Sequence, residues 1–203
     1  MRFGKGGSGL YNPYGFVEQM RIQSSTGNVG IGTLTPASKL DVAGDINLSG
    51  KLQYDGGTVL RIASGTSIAL GFSALQNNTG EYNTASGTGA LYFNTSGAFN
   101  TAIGANALES SSGSHNTATG AFTLALNMTG NNNTAVGQAA LANNTSGSNN
   151  IAIGVDAANN VCSNYSNNNI HIGSLGSCDD SGTIRIGTPD TQPSSSSRYA
   201  FQQ

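Results

Sequence analysis

"NTAIGANAL" occupies Asn100–Leu108, and near copies begin at Asn83, Asn116, Asn133 and Asn150. Aligned, the copies share one glycine column at Gly71, Gly87, Gly104, Gly120, Gly137 and Gly154. A second runs through Gly80, Gly97, Gly113, Gly130 and Gly147, giving a period of 16 to 17 residues. From each second-column glycine to the next first-column glycine is always seven residues, whereas the return is nine or ten. A fixed arm is what a stacked strand requires, because one added residue turns every later side chain to the opposite face. The variable arm therefore holds the looser turn.

Inside the fixed arm, Asn-Thr-Ala-x-Gly alternates as a strand does. Ala85, Ala102, Ala118, Ala135 and Ala152 form one column, and Thr84, Thr101, Thr117, Thr134 and Ile151 the column before it. A small residue held at one site in successive coils suggests close packing against a neighbour. The variable arm supplies Leu75, Leu91, Leu108, Leu124 and Leu141, read as the apolar filling of each coil. Turns such as "NNTG" and "NTSG" follow, with glycine at both corners expected to provide positive φ.

Two-helix solenoids repeat at about 33 to 47 residues, and a 16-residue unit with two glycines cannot hold two helices. The prediction is an all-β chain, a parallel β-roll or β-solenoid of 16–17-residue coils. One large apolar residue per coil is a thin core. Further burial is expected from association of identical columns through the small-residue face.

Composition agrees with a repetitive fold more than with a globule. Of 203 residues, 36% are hydrophobic and 9% charged, with 29 glycines and no tryptophan. The formal net charge is −2, and no Lys or Arg lies between Arg61 and Arg185. Nucleic-acid binding needs clustered cations to displace counterions from phosphate, so no nucleic-acid partner is expected. No apolar run of about 18 residues is present to span a bilayer, and no membrane insertion is expected. The opening "MRFGKGGSGLYNPYG" lacks the apolar stretch of a secretory signal. The chain is accordingly read either as a piece of something longer or as part of a particle released by lysis.

The organisation divides into a connecting segment (1–25), a short-strand β segment (26–62), the β-roll repeats (63–158), irregular terminal coils (159–187) and a low-complexity tail or linker (188–203). In the terminal coils "NNNIHIGSLG" and "SGTIRIGTPD" place Ile170, Ile172, Ile184 and Ile186 before Gly173 and Gly187. Their broken spacing is that of capping repeats, which must differ from the middle of a stack.

Two families resemble parts of this chain. "GNVGIGTLTPASKLDVAGDI" looks like the segment that recurs in phage tail fibres and related bacterial surface fibres, and "NTAIGANAL" and "NNIAIGVDAA" resemble the head repeats of trimeric autotransporter adhesins. Together they cover roughly residues 20 to 187. The resemblance implies a left-handed parallel β-roll in a homotrimer. It also implies an extracellular place on a virion or bacterial surface and a role in attachment. The adhesin heads use a shorter repeat.

Few residues invite chemistry. Cys162 and Cys178 are 16 residues apart, about one coil, which predicts adjacent layers and a disulfide, the alternative being two free thiols in terminal loops. A bridge suits an oxidising, extracellular setting. His171 is the one histidine near them, short of the three or four ligands of a metal site; no metal and no cofactor is expected. Asp179 and Asp180 carry calcium-type oxygens but read more simply as an exposed acidic turn, and His115 as a solvent-facing filler. Glu81, Glu109 and Asp156 are the carboxylates of the repeats. They occupy different coil positions, so the paired carboxylates of a glycan depolymerase are not expected within one chain, and no catalytic residue is assigned. Tyr82, Tyr92, Phe93, Phe99 and Phe122 are candidate surface contacts for glycans or proteins, or else subunit packing. The leading expectation is a structural and adhesive, non-enzymatic fibre; the alternatives are a depolymerase tailspike and an ice-binding solenoid using the Thr column.

Overall fold

The seven-residue arms do stack as strands. A computed structural model describes residues 2–4, 18–46, 51–54, 57–63, 66–161 and 166–187, and the described residues contain strands and turns with no helix. The chain separates into two units, Met1–Ser49 and Gly50–Gln203, so the expected 26–62 segment is shared between them. The tail 188–203 lies outside the described residues, as does most of the connecting segment.

The first unit is a four-stranded sheet of β1 (Arg2–Gly4), β2 (Glu18–Ile22), β3 (Val29–Ile31) and β4 (Leu40–Val42), in that spatial order. β1, β2 and β3 pair antiparallel, and β3 and β4 pair parallel.

The second unit opens with β5 (Lys51–Tyr54) and β6 (Gly57–Ala63), paired antiparallel with each other and, through β6, with β7 (Ser67–Leu70). From β7 onward every pairing is parallel. β8 (Thr84–Ser86), β9 (Thr101–Ile103), β10 (Thr117–Thr119), β11 (Thr134–Val136) and β12 (Ile151–Ile153) carry the repeat. β13 (Ile170–Ile172) and β14 (Ile184–Ile186) continue it through the altered coils. Register is kept throughout, with Ala69, Ala85, Ala102, Ala118, Ala135 and Ala152 in line, then His171 and Arg185. This is a β-solenoid, and its turns are bonded from coil to coil as its strands are: Leu91 N–H donates to Ala107 O and Leu108 N–H to Thr123 O, each at 3.0 Å.

The alanine column faces inward. Ala102, Ala118 and Ala135 are fully buried within the single chain, so the small-residue face cannot be the surface through which copies associate. Alternation determined that Ala lay opposite Thr, but not which of the two faced the interior. The inner face needs alanine because the coil is narrow: Ala102, Ala107 and Leu108 belong to one buried cluster.

The leucine column fills that interior from a costly backbone. Leu75, Leu91, Leu108, Leu124 and Leu141 all have φ of 51° or 52°, in the left-handed region that costs an L-residue about 1–2 kcal/mol. Burying a leucine returns about 1.5–3 kcal/mol. The two nearly balance, so the turn persists with a side chain large enough to fill the coil.

Glycine acts differently at the two corners. Gly104 has φ of 133°, and a Cβ there would also lie 2.4 Å from Gly120 O in the next coil. Gly113 has no positive φ; it is required because a Cβ would lie 1.9 Å from Gly130 O. The expectation of positive φ at both glycine columns therefore holds only for the first. At the second, close approach of stacked backbones excludes any side chain.

The asparagines are not turn formers at the surface. Asn83, Asn100, Asn116, Asn133, Asn150 and Asn169 are buried, lying two residues before the alanine column and hence on its side of the strand. Asn116 shows the pattern. Its N–H donates to Asn100 Oδ1 at 2.9 Å, its Oδ1 accepts from Asn133 N–H at 3.0 Å, and its Nδ2 donates to Gly130 O at 2.9 Å. Each copy thus satisfies the next, and a buried amide that would otherwise cost several kcal/mol becomes a tie between coils. Ser67 begins the ladder, accepting from Asn83 N–H at 3.0 Å, and Asn169 ends it on Thr183 N–H at 2.9 Å.

A second polar column, Asn78, Asn94, Ser111, Asn127 and Asn144, stands at the looser corner. Asn94 Nδ2 reaches Asn78 Oδ1 at 2.6 Å, and Asn144 Nδ2 reaches Asn127 Oδ1 at 2.8 Å. The next coil places Val161 in this column, and Asn144 Oδ1 is left buried without a partner. Between this column and the following glycine lies one residue in 16-residue coils (Asn78 to Gly80, Ser111 to Gly113). In 17-residue coils there are two (Asn94 to Gly97, Asn127 to Gly130, Asn144 to Gly147). The variable arm varies only there.

Candidate functional site

With alanine and asparagine turned inward, the alternate residues of β7–β14 form the outer strand face. Its first column runs Ile68, Thr84, Thr101, Thr117, Thr134, Ile151, Ile170, Ile184. Its second runs Leu70, Ser86, Ile103, Thr119, Val136, Ile153, Ile172, Ile186. None of these side chains is charged, and toward β14 both columns are isoleucine. Ile103, Val136 and Ile153 are each about 40% exposed, on a sheet in continuous parallel register. The strip is uncharged throughout and apolar toward its β12–β14 end, and an exposed apolar patch marks an interaction surface in general.

The five aromatic candidates fall in four columns and do not form one patch. Tyr82 and Phe99 precede ladder asparagines and stack with ring centroids 4.9 Å apart and planes 9° from parallel. His115 continues the stack, 4.9 Å from Phe99 and 5° from parallel. All three residues have φ between 56° and 60°, which aims their side chains outward at the same corner. Both faces of the Phe99 ring are therefore occupied, and sugar stacking on them is excluded. Tyr92 and Phe93, on another corner, meet edge to face at 4.4 Å, and Phe93 is half exposed. Phe122 is exposed two residues before Leu124. His115 was missed as a ring partner, although it stands in the same column as Tyr82 and Phe99.

The terminal coils hold the charged cluster. His171 and Arg185 occupy the inward column that is alanine elsewhere, and both turn to Asp180. Asp180 Oδ2 accepts from His171 Nε2 at 2.9 Å, Arg185 Nε at 2.7 Å and Ser177 N–H at 2.8 Å, and Oδ1 accepts from Arg185 Nη2 at 2.6 Å. Burial alone would raise the Asp180 carboxyl. The Arg185, His171 and Ser177 hydrogen bonds and the Arg185 charge outweigh it and hold the group at about 2. Facing a carboxylate, His171 Nε2 carries hydrogen, and its Nδ1 is buried without a partner.

The acidic pair is thus divided. Asp179 is exposed, but Asp180 is buried and committed to its neighbours, so an exposed acidic turn describes only the first of them. Among the described residues no group of three His, Cys, Asp or Glu is placed to hold a metal ion. Cys178 is disulfide-bonded; Cys162, its expected partner, lies outside the described residues. Glu81, Glu109 and Asp156 occupy three separate columns. Among the described residues no helix is long and apolar enough to cross a membrane. No protein-family model, curated protein or solved structure matches this chain.

Proposed function

We propose that the chain is a structural and adhesive segment of a homotrimeric extracellular fibre. It projects from a virion, injection particle or cell, and attaches to surface glycans or proteins without catalysis. The carrying observation is the uncharged strand face that runs unbroken from Ile68 to Ile186. An ordinary soluble surface interrupts such a strip with charge, whereas a rod that packs against its own copies keeps it free of charge. The half-exposed Phe93, with Tyr92 against its edge, offers a further contact away from that strip. Native mass tests the assembly. A value near three times 20.5 kDa is expected, and a monomer defeats the proposal. Glycan-array binding that is lost in Tyr92→Ala/Phe93→Ala tests the adhesive half.

One observation favours a second reading, ice binding: Thr84, Thr101, Thr117 and Thr134 do lie on the outer face, at strand spacing. That face cannot be both covered by copies and open to ice. Thermal hysteresis from the folded chain would replace the fibre reading, and its absence removes this one.

A further inference from the structure

The solenoid sheet has an open edge. β14 stands at the end of the strand order, and among the described residues no strand pairs with it on the side away from β13. In every earlier coil that side is filled by the next one: Thr101 N–H donates to Asn116 O at 2.9 Å, and Ile103 O accepts from Gly120 N–H at 2.7 Å. The equivalent groups of β14 are Ile184 N–H and Ile186 O. Its outer side chains are exposed as well, Ile184 by 46% and Ile186 by 75%, against 38% for Ile172 one coil earlier. A strand edge with unpaired backbone groups and no outward charge is a template for a further strand.

The sequence beyond β14 contains a match for that template. Adding a parallel strand takes a connection of about a dozen residues. The coils use 13 between Ile103 and Thr117 and 11 between Ile172 and Ile184. Twelve residues separate Ile186 from Tyr199, where the chain reads Tyr199-Ala200-Phe201. This is the large-alanine-large order of Ile151-Ala152-Ile153. In register, Ala200 falls in the inward column next to Arg185. Tyr199 and Phe201 fall in the outer columns next to Ile184 and Ile186, and aromatic on β-branched is a favourable cross-strand pairing. A shift of one residue would turn both rings into the interior. Gln202 then takes the place of the corner glycine. At Gly104 a Cβ would strike Gly120 O of the following coil, whereas at Gly187 it would meet nothing within 4 Å. A side chain at this corner is thus admitted where no further coil is stacked. Arg198 takes the column of the asparagine ladder, which has already ended on Thr183.

We infer that Tyr199–Phe201 adds to β14 of the same chain as one more parallel strand and coil. Connection length selects the occupant, since the chain that leaves β14 is long enough to return to its own edge without a second copy. The added strand covers Ile184 and Ile186 with aromatic rings and carries the uncharged outer face one coil further.

The test uses the full chain. A benzophenone-bearing residue in place of Phe201, in a mixture of isotopically light and heavy chains, is expected to crosslink to β14 of its own chain. Ala200→Pro removes a strand N–H and is expected to speed amide exchange in residues 182–187 at least tenfold, with exchange in residues 100–104 unchanged and Ser195→Ala as the silent control. Equal exchange of residues 182–187 with and without Ala200→Pro overturns the inference. Capture of another copy's β14, or capture away from β14, overturns it too. The homotrimer reading is decided by native mass and stands apart from either result.

Discussion

Between Asn83 and Asn150 each coil is closed by neutral groups, an alanine, a leucine and an asparagine bonded to the coil on either side. From Ile170 to Ile186 the same inward positions carry His171 and Arg185 and close on Asp180. The contrast shows what can be repeated. An amide has a donor at one end and an acceptor at the other, so identical copies satisfy one another indefinitely. A buried charge needs an opposite charge, and a like charge one coil away would repel it. Ions therefore belong where the stack stops.

The largest test of the contrast concerns space. Gly113→Ala drives a Cβ to 1.9 Å from Gly130 O, while Gly173 in the terminal coils has nothing within 4 Å of the added carbon. Gly113→Ala is expected to destabilise the solenoid by about 4 kcal/mol or more, and Gly173→Ala, at φ of 59°, by about 1 kcal/mol. Thermal melting followed by circular dichroism separates them. Equal effects would mean that the middle coils spread apart as readily as the end.

Next comes the ladder. Asn116→Ala strips the partner from the buried Asn133 N–H, at about 1–3 kcal/mol for the orphan, and leaves Gly130 O to Asn127 Nδ2 alone. Asn116→Asp keeps the acceptor toward Asn133 but sets a carboxylate oxygen against a carbonyl, so it too is expected to destabilise, by urea unfolding, by about 2 kcal/mol or more. If Asn116→Asp were neutral, the Nδ2 bond would not be a tie.

The smallest expected effect is confined to the end. Asp180 is held at about 2, below its ordinary 3.8. A lowered acid stabilises the fold above its unfolded pKa and loses that contribution as pH falls through the folded one. The cluster thus contributes about 2 kcal/mol above roughly pH 4, declining toward pH 2. Amide exchange in β13 and β14 is expected to accelerate over that window before β9 and β10 respond. Simultaneous loss along the whole rod would show that the ions hold more than the terminus.

Periodicity made the strands, the coil length and the looser corner legible, because each depends on spacing. What stayed hidden depends on direction. Ala102 was read as facing a neighbouring copy because a small residue fits either a narrow interior or a close interface. Asn100 is a residue type common in turns, yet its place two residues before Ala102 puts it on the same, inward side. His171 and Arg185 were legible in the same way, as polar residues in a column of alanines. The stacking of His115 on Phe99 follows from column position, but the ring planes follow only from the shared left-handed backbone. That Met20, Ile31 and Val42 share one face of the first unit's sheet follows only from the register of three strands, which no repeat supplied.

The corner that takes one residue in some coils and two in others has a practical meaning. The buried Asn127 and Gly130 are each tied into neighbouring coils, so the chain between them is anchored at both ends while its length is free. A peptide spliced in place of Met128 and Thr129 would leave the inward columns undisturbed. The same splice is open at Asn94 to Gly97 and at Asn144 to Gly147, which makes the rod a ruled scaffold on which foreign loops can be mounted at chosen heights along one edge.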